Sequence, residues 1–102
     1  MTGYVKAAKL ADLTEGSVFP IELNGRRILL LMLSGKVYAV SGTCTHEEAD
    51  LGLGFVLEGR VVCPLHLSQF DLKDGSVQNP PATIPLKTFN VKIDGGTIFV
   101  EV

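Results

Sequence analysis

Every cysteine and every histidine of the chain lies in one of two short segments, Cys44-Thr45-His46 and Cys63-Pro64-Leu65-His66, with sixteen residues between His46 and Cys63. A fold that uses these four residues together must bring two loops to one place, each delivering one thiol and one imidazole. Thiolates favour iron–sulfur or zinc chemistry, and imidazole suits either. In an extended loop the ligands of C-x-H lie about 7 Å apart, at roughly 3.3 Å per residue. That spacing serves two unlike metal positions side by side. A single tetrahedral Cys2His2 zinc site is the alternative, although zinc modules usually pair like ligands, C-x2–4-C with H-x3–5-H, whereas here each loop mixes them. A disulfide between Cys44 and Cys63 is the third reading, and it leaves two adjacent histidines without a purpose.

At 102 residues the chain is expected to form one domain. Apolar residues make up 46% and charged residues 20%, an ordinary globular balance that argues against disorder. The net charge of −2 gives no reason to expect nucleic acid or an anionic membrane as partner. The N-terminus, Met1-Thr2-Gly3-Tyr4-Val5-Lys6, has no apolar signal core. The longest aliphatic run, Ile28 to Leu33, is six residues, far too short to span a bilayer. With only two cysteines and no secretory segment, a soluble protein of the reducing cytoplasm is expected.

The pattern is β throughout: short β-rich runs alternate with Gly, Asn, Asp and Pro turns, as in a small sandwich or barrel. Strands are expected at Tyr4–Ala8, Ser17–Leu23, Arg26–Leu33 and Lys36–Val40. Pro20 marks the second of these as an edge or a bulge. Asn24-Gly25 is a strong two-residue hairpin signal, and Ser34-Gly35 turns the next pair. The one helical stretch, around Leu10–Thr14, is limited to a turn by Gly16. Phe55–Leu57 and Arg60–Val62 form a hairpin about Glu58-Gly59 that spaces the two Cys/His loops. Ser68–Leu72 is a short strand turned by Lys73-Asp74-Gly75, and Asn79-Pro80-Pro81 cannot pair inside a sheet. The last hairpin is expected as Leu86–Ile93, a turn at Asp94-Gly95-Gly96, and Thr97–Val102. A base of residues 1–41 and 76–102 would thus carry an inserted ligand-bearing subdomain, 42–75.

The spacing C-x-H…C-x2-H resembles the ligand motif of Rieske proteins, and the likeness extends past it. Pro64 within the second motif, then Ser68, Phe70 and Asp71, resemble the family's second cluster loop, and Pro80-Pro81 resembles its proline segment. The resemblance covers essentially the whole chain and implies an all-β, Rieske-like antiparallel sandwich with an inserted cluster-binding subdomain. It also implies one 2Fe–2S cluster with Cys44 and Cys63 as thiolate ligands of one iron and His46 and His66 on the other, raising the potential above that of all-cysteine clusters. The family's high-potential members use a serine and a tyrosine hydroxyl as hydrogen-bond donors. Ser68 stands where that serine falls, and Phe70 stands where the tyrosine falls without its hydroxyl. A potential in the lower part of the Rieske range follows.

Absences narrow the subtype. The respiratory and photosynthetic Rieske subunits carry a membrane anchor and two further cysteines, which would fall at Ala49 and Leu65. Oxygenase catalytic subunits need further histidines for a mononuclear iron, and none remain. The expectation is a freestanding, monomeric Rieske ferredoxin similar to the electron-transfer component of bacterial aromatic ring-hydroxylating dioxygenases, and not itself an enzyme. Its partners would be a flavin-dependent NAD(P)H reductase and a terminal oxygenase, with docking at His46 and His66. Leu67, Pro80 and Pro81 either ring that contact or pack over the cluster. Glu47, Glu48 and Asp50 either steer a basic partner or merely solvate their loop. Arg26, Arg27 and Lys36 are assigned to exposed strand faces with no special role. The alternatives are a Rieske-like small subunit of a nitrite-reductase-type enzyme and a zinc-stabilised structural module.

Overall fold

The structure is a computed structural model and describes residues 3–42, 55–57, 59–63, 69–72, 75–76, 78 and 86–102. Its strands in chain order are β1 (Tyr4–Lys9), β2 (Val18–Leu23), β3 (Arg26–Leu33), β4 (Lys36–Ser41), β5 (Phe55–Leu57), β6 (Arg60–Val62), β7 (Gln69–Asp71), β8 (Thr88–Phe89), β9 (Val91–Asp94) and β10 (Thr97–Glu101). Among the described residues a single 3-10 turn, Leu10–Asp12, follows β1, in the one place where the sequence allowed a helix. The strands form three antiparallel sheets of order β1-β10-β9, β2-β3-β4-β8 and β5-β6-β7. The all-β, antiparallel expectation is met.

The two hairpins of the four-stranded sheet follow from their turn residues. Asn24 and Gly25 take φ of 50° and 76°, and Ser34 and Gly35 take 52° and 76°. Two successive positive φ angles give the mirror-image turn whose twist matches that of the flanking strands. The register then follows: Leu23 faces Arg26 and Val18 faces Leu31, while Leu33 faces Lys36 and Ile28 faces Ser41. Glu15 secures the second turn, its carboxylate accepting from the Ser34 N–H at 2.6 Å and the Gly35 N–H at 3.3 Å. Pro20 sits on β2, an edge strand, where a missing N–H costs the sheet least.

The four-stranded sheet is the middle layer. Ile28, Leu29, Leu30 and Leu31 are all fully buried, although successive residues of a strand point to opposite faces. Ile28, Leu30, Val37 and Ala39 pack with Ile98 and Val100 of the β1-β10-β9 sheet. Leu29, Leu31 and Val40 pack with Val61 and Phe70 of the β5-β6-β7 sheet, and with Cys63, Leu72 and Leu86. Burial on both faces is the reason β3 is continuously apolar instead of alternating. Each fully buried Leu or Ile contributes about 1.5–3 kcal/mol relative to exposure.

The expected strand Leu86–Ile93 is corrected. It divides at Asn90 into β8, which pairs with β4, and β9, which pairs with β10. Phe89 and Val91, on either side of the break, pack against the same core. The apolar alternation therefore runs on unbroken while the chain changes sheets. Asn90 marks the transfer: its carbonyl accepts from the Glu101 N–H at 2.9 Å and its side-chain amide donates to the Glu101 carboxylate at 2.9 Å.

Gly75 locks the return from the third sheet. Its N–H donates to the Asp71 carbonyl at 2.8 Å, and its own carbonyl accepts from the Leu86 N–H at 2.7 Å. With φ at +77°, a Cβ there would overlap the Leu86 carbonyl oxygen. Gly25 has a similar φ of +76° and nothing within 4 Å of a Cβ. Gly75→Ala is expected to lower the unfolding free energy by about 3 kcal/mol or more, from strain plus overlap. Gly25→Ala should cost only about 1 kcal/mol, from the left-handed backbone alone. Urea denaturation of the two variants side by side checks the difference.

Candidate metal centre

Cys63 follows β6 directly and is 2% exposed. It lies in the apolar cluster formed between the middle sheet and the β5-β6-β7 sheet, together with Leu29, Leu31, Val40, Val61, Phe70, Leu72 and Leu86. Its sulfur is a free thiol, so the disulfide reading for Cys63 is set aside. As a thiolate, the donor chemistry of this residue fits an iron–sulfur or zinc group.

The other three expected ligands, Cys44, His46 and His66, lie outside the described residues. So do Ser68, the positions Ala49 and Leu65, the acidic trio Glu47, Glu48 and Asp50, and the apolar Leu67, Pro80 and Pro81. Among the described residues no group of three His, Cys, Asp or Glu side chains converges on a metal position. What the structure describes is therefore one expected ligand position, Cys63, and the roots of the two loops expected to carry the ligands.

The first loop leaves β4 at Gly42. Ser41 donates its N–H to the Lys87 carbonyl at 2.8 Å, and Gly42 donates to the Arg27 carbonyl at 2.8 Å. A Cβ on Gly42 would lie 2.7 Å from Arg27 Cγ and 3.1 Å from the Arg27 carbonyl carbon. Arg27, expected to have no role, is exposed as foreseen, but its backbone and side chain close over this root. The second loop is closed at its base by the pair Val62 and Gln69, the last of the β6–β7 ladder. Val40, near the first root, and Val61 and Cys63, at the second, share one buried cluster. Apolar packing thus brings the two roots together.

Phe70, the residue expected to stand in for a tyrosine, is fully buried in the same cluster as Cys63. On the opposite face of the small sheet, Arg60 is half-buried, faces Asp71 across the ladder and donates from Nη1 to Gln69 Oε1 at 3.0 Å. This bridge was not foreseen from the sequence. The β6–β7 register that aligns Arg60 with Gln69 is set across the ligand loop, where no turn signature announces it. Lys36 is exposed as expected, its Nζ 5.3 Å from the centre of the Tyr38 ring. Among the described residues no helix is long and apolar enough to cross a membrane.

Known proteins give this geometry a context. The family model described as Rieske 2Fe-2S domain matches residues 3–90. The ferredoxin component of the naphthalene 1,2-dioxygenase/salicylate 5-hydroxylase systems of Ralstonia sp. is 38% identical over 99 residues, covering 96% of this chain and 94% of the relative. The solved ferredoxin of carbazole 1,9a-dioxygenase from Nocardioides aromaticivorans IC177 superposes with a TM-score of 0.92 at 31% identity, covering 97% of each chain. A chain from a complex of reduced oxygenase and oxidised ferredoxin in carbazole 1,9a-dioxygenase superposes with a TM-score of 0.91 at 25% identity, covering 99% of this chain and 94% of that one. A structure described as a nitrite reductase NADPH small subunit superposes less closely, with a TM-score of 0.82 at 27% identity over 95% of this chain and 96% of that one. With the match running through nearly the whole chain and the buried free thiol of Cys63 at the root of the second loop, the chain belongs to the Rieske 2Fe-2S domain family and, with these relatives, to its electron-transferring ferredoxins.

Proposed function

We propose that the chain carries one electron from a flavin-dependent NAD(P)H reductase to a terminal, aromatic-ring oxygenase, acting as a soluble cytoplasmic monomer. The observation that carries this reading is the end-to-end likeness to ferredoxin components of aromatic dioxygenase systems, combined with a free, buried cysteine at the expected ligand position. The oxygenase as partner is supported by the likeness to the ferredoxin–oxygenase complex. The division into a base, 1–41 and 76–102, and a cluster-binding subdomain, 42–75, is part of the same proposal; the β5-β6-β7 sheet lies within the second range.

Cys44 and Cys63 would hold one iron as thiolates, and His46 and His66 would hold the other through one ring nitrogen each. When bound, the cluster supplies a site that takes up and returns a single electron. The chain's own residues set the conditions for that exchange. The apolar packing around Cys63 keeps water from the inner side and raises the energetic weight of each local dipole. The two histidines would end their loops at the exposed tip, so partners would dock there. Hydrogen bonds to sulfur and local charge tune the potential. Ser68 would supply one such bond, and Phe70 supplies none.

Electron paramagnetic resonance of the dithionite-reduced protein checks the ligand set. A mixed Cys2His2 cluster is expected to give a lower average g value than an all-cysteine cluster, and a silent, colourless protein would point to zinc. Phe70→Tyr should raise the midpoint potential and Ser68→Ala should lower it. One gained or lost hydrogen bond of about 1–2 kcal/mol corresponds to about 40–85 mV for one electron. Protein-film voltammetry reads both shifts. Glu47, Glu48 and Asp50 are proposed to steer a basic partner, so stopped-flow association with the reductase should slow as ionic strength rises.

A further inference from the structure

We infer that Arg60 and Gln69 form a clasp that positions the second ligand loop, with Gln69 as a junction between that loop and the strand that spaces it. The inference rests on the ligand assignment proposed above, in which this loop supplies Cys63 and His66.

Gln69 is the first described residue after the loop, three positions beyond His66, and it is held from three sides. Its backbone is paired with Val62, the residue immediately before Cys63. Its carbonyl accepts from the Gln78 N–H at 2.8 Å. Its side-chain carbonyl accepts from Arg60 Nη1 at 3.0 Å. Gln78 leads into the segment containing Pro80 and Pro81, and its own side chain donates to Ser76 Oγ at 2.9 Å. Three stretches of chain therefore meet at one residue: β6, the end of the ligand loop, and the start of the proline segment.

Arg60 holds this junction from the outer face of the small sheet. It faces Asp71 directly and reaches diagonally to Gln69, a distance that long side chains span on a pleated surface. Both residues are half-buried, so the bond is shielded from water and less screened than a surface contact. A hydrogen bond from a charged donor is also stronger than a neutral one. The inner face of the same strands carries Val61 and Phe70 into the core, so the small sheet is fastened on both sides. The clasp fixes the separation of the two ends of a loop whose two ligands must meet a cluster at fixed spacing. Arg60 and Gln69 are thus positioning residues: they act on the cluster through the loop.

The test uses the cluster-loaded protein and four variants: Arg60→Ala, Gln69→Ala, the double variant, and Gln69→Glu. Loss of visible absorbance is followed in the presence of an iron chelator, and the reduced resonance spectrum is recorded for each. Arg60→Ala and Gln69→Ala should each release iron about five- to tenfold faster than the parent protein and broaden its g values. The double variant should accelerate release by less than the product of the two single effects, because the Arg60–Gln69 bond is lost in each. Gln69→Glu keeps an acceptor for Arg60 and should keep the parent rate. Parent rates and line shapes in both single variants overturn the clasp, as does a double variant whose acceleration is the product of the two. A parent protein without the mixed-ligand signal overturns the ligand assignment and the clasp with it; a parent protein with that signal and unaltered variants overturns the clasp alone.

Discussion

The middle sheet is apolar on both faces, and the rest of the molecule is arranged by that fact. Ile28, Leu29, Leu30 and Leu31 stand in succession without exposure, two pointing each way. A sheet of this kind cannot stand with one face wet, because each exposed Leu or Ile forfeits about 1.5–3 kcal/mol. One face is covered by the sheet made from the two ends of the chain, β1 with β9 and β10. The other is covered by the small sheet between β4 and β8, which carries Cys63. The ligand position proposed at Cys63 is therefore rooted in the second core, and its side chain is part of what closes that core.

This arrangement gives the site its rigidity. Loop roots are pinned where backbone meets backbone: Gly42 against Arg27, Gly75 between Asp71 and Leu86, Gln69 between Val62 and Gln78. Each contact needs either a missing side chain or a ladder position, so none adds bulk near the cluster loops. A group that gains and loses one charge without rearranging its surroundings is served by dipoles fixed in advance. Ala49 and Leu65 stand where the membrane-anchored members of the family carry two further cysteines, so among the described residues it is packing and backbone bonds that hold the loop roots.

Much of the fold was legible because short turns state their own geometry. Asn24-Gly25 and Ser34-Gly35 predicted both hairpins of the middle sheet, and the strand bounds followed within a residue. The break at Asn90 was not legible. Phe89 and Val91 keep the period of one strand while serving two sheets, because both point into the same core. The six-residue aliphatic run is legible as part of a strand and as too short for a bilayer, but its cause, burial on two faces, needs the third layer in view. Around the proposed centre, Cys63 lies buried at the end of β6, while the Arg60–Gln69 bridge and the closure of Arg27 over Gly42 depend on registers that no local signal encodes.

By itself, the sequence determined the chemistry and the class of fold: two Cys/His segments, β-strands, and tight turns between them. These are local properties, decided by residue types a few positions apart. The tertiary structure decided which strands share a sheet, which face each apolar residue serves, and which side chains stand at the feet of the ligand loops. Those outcomes depend on residues far apart in the chain, such as Leu29 and Phe70 in one buried cluster or Gly75 bonded to Leu86, and only the closing of two cores on one sheet brings them together.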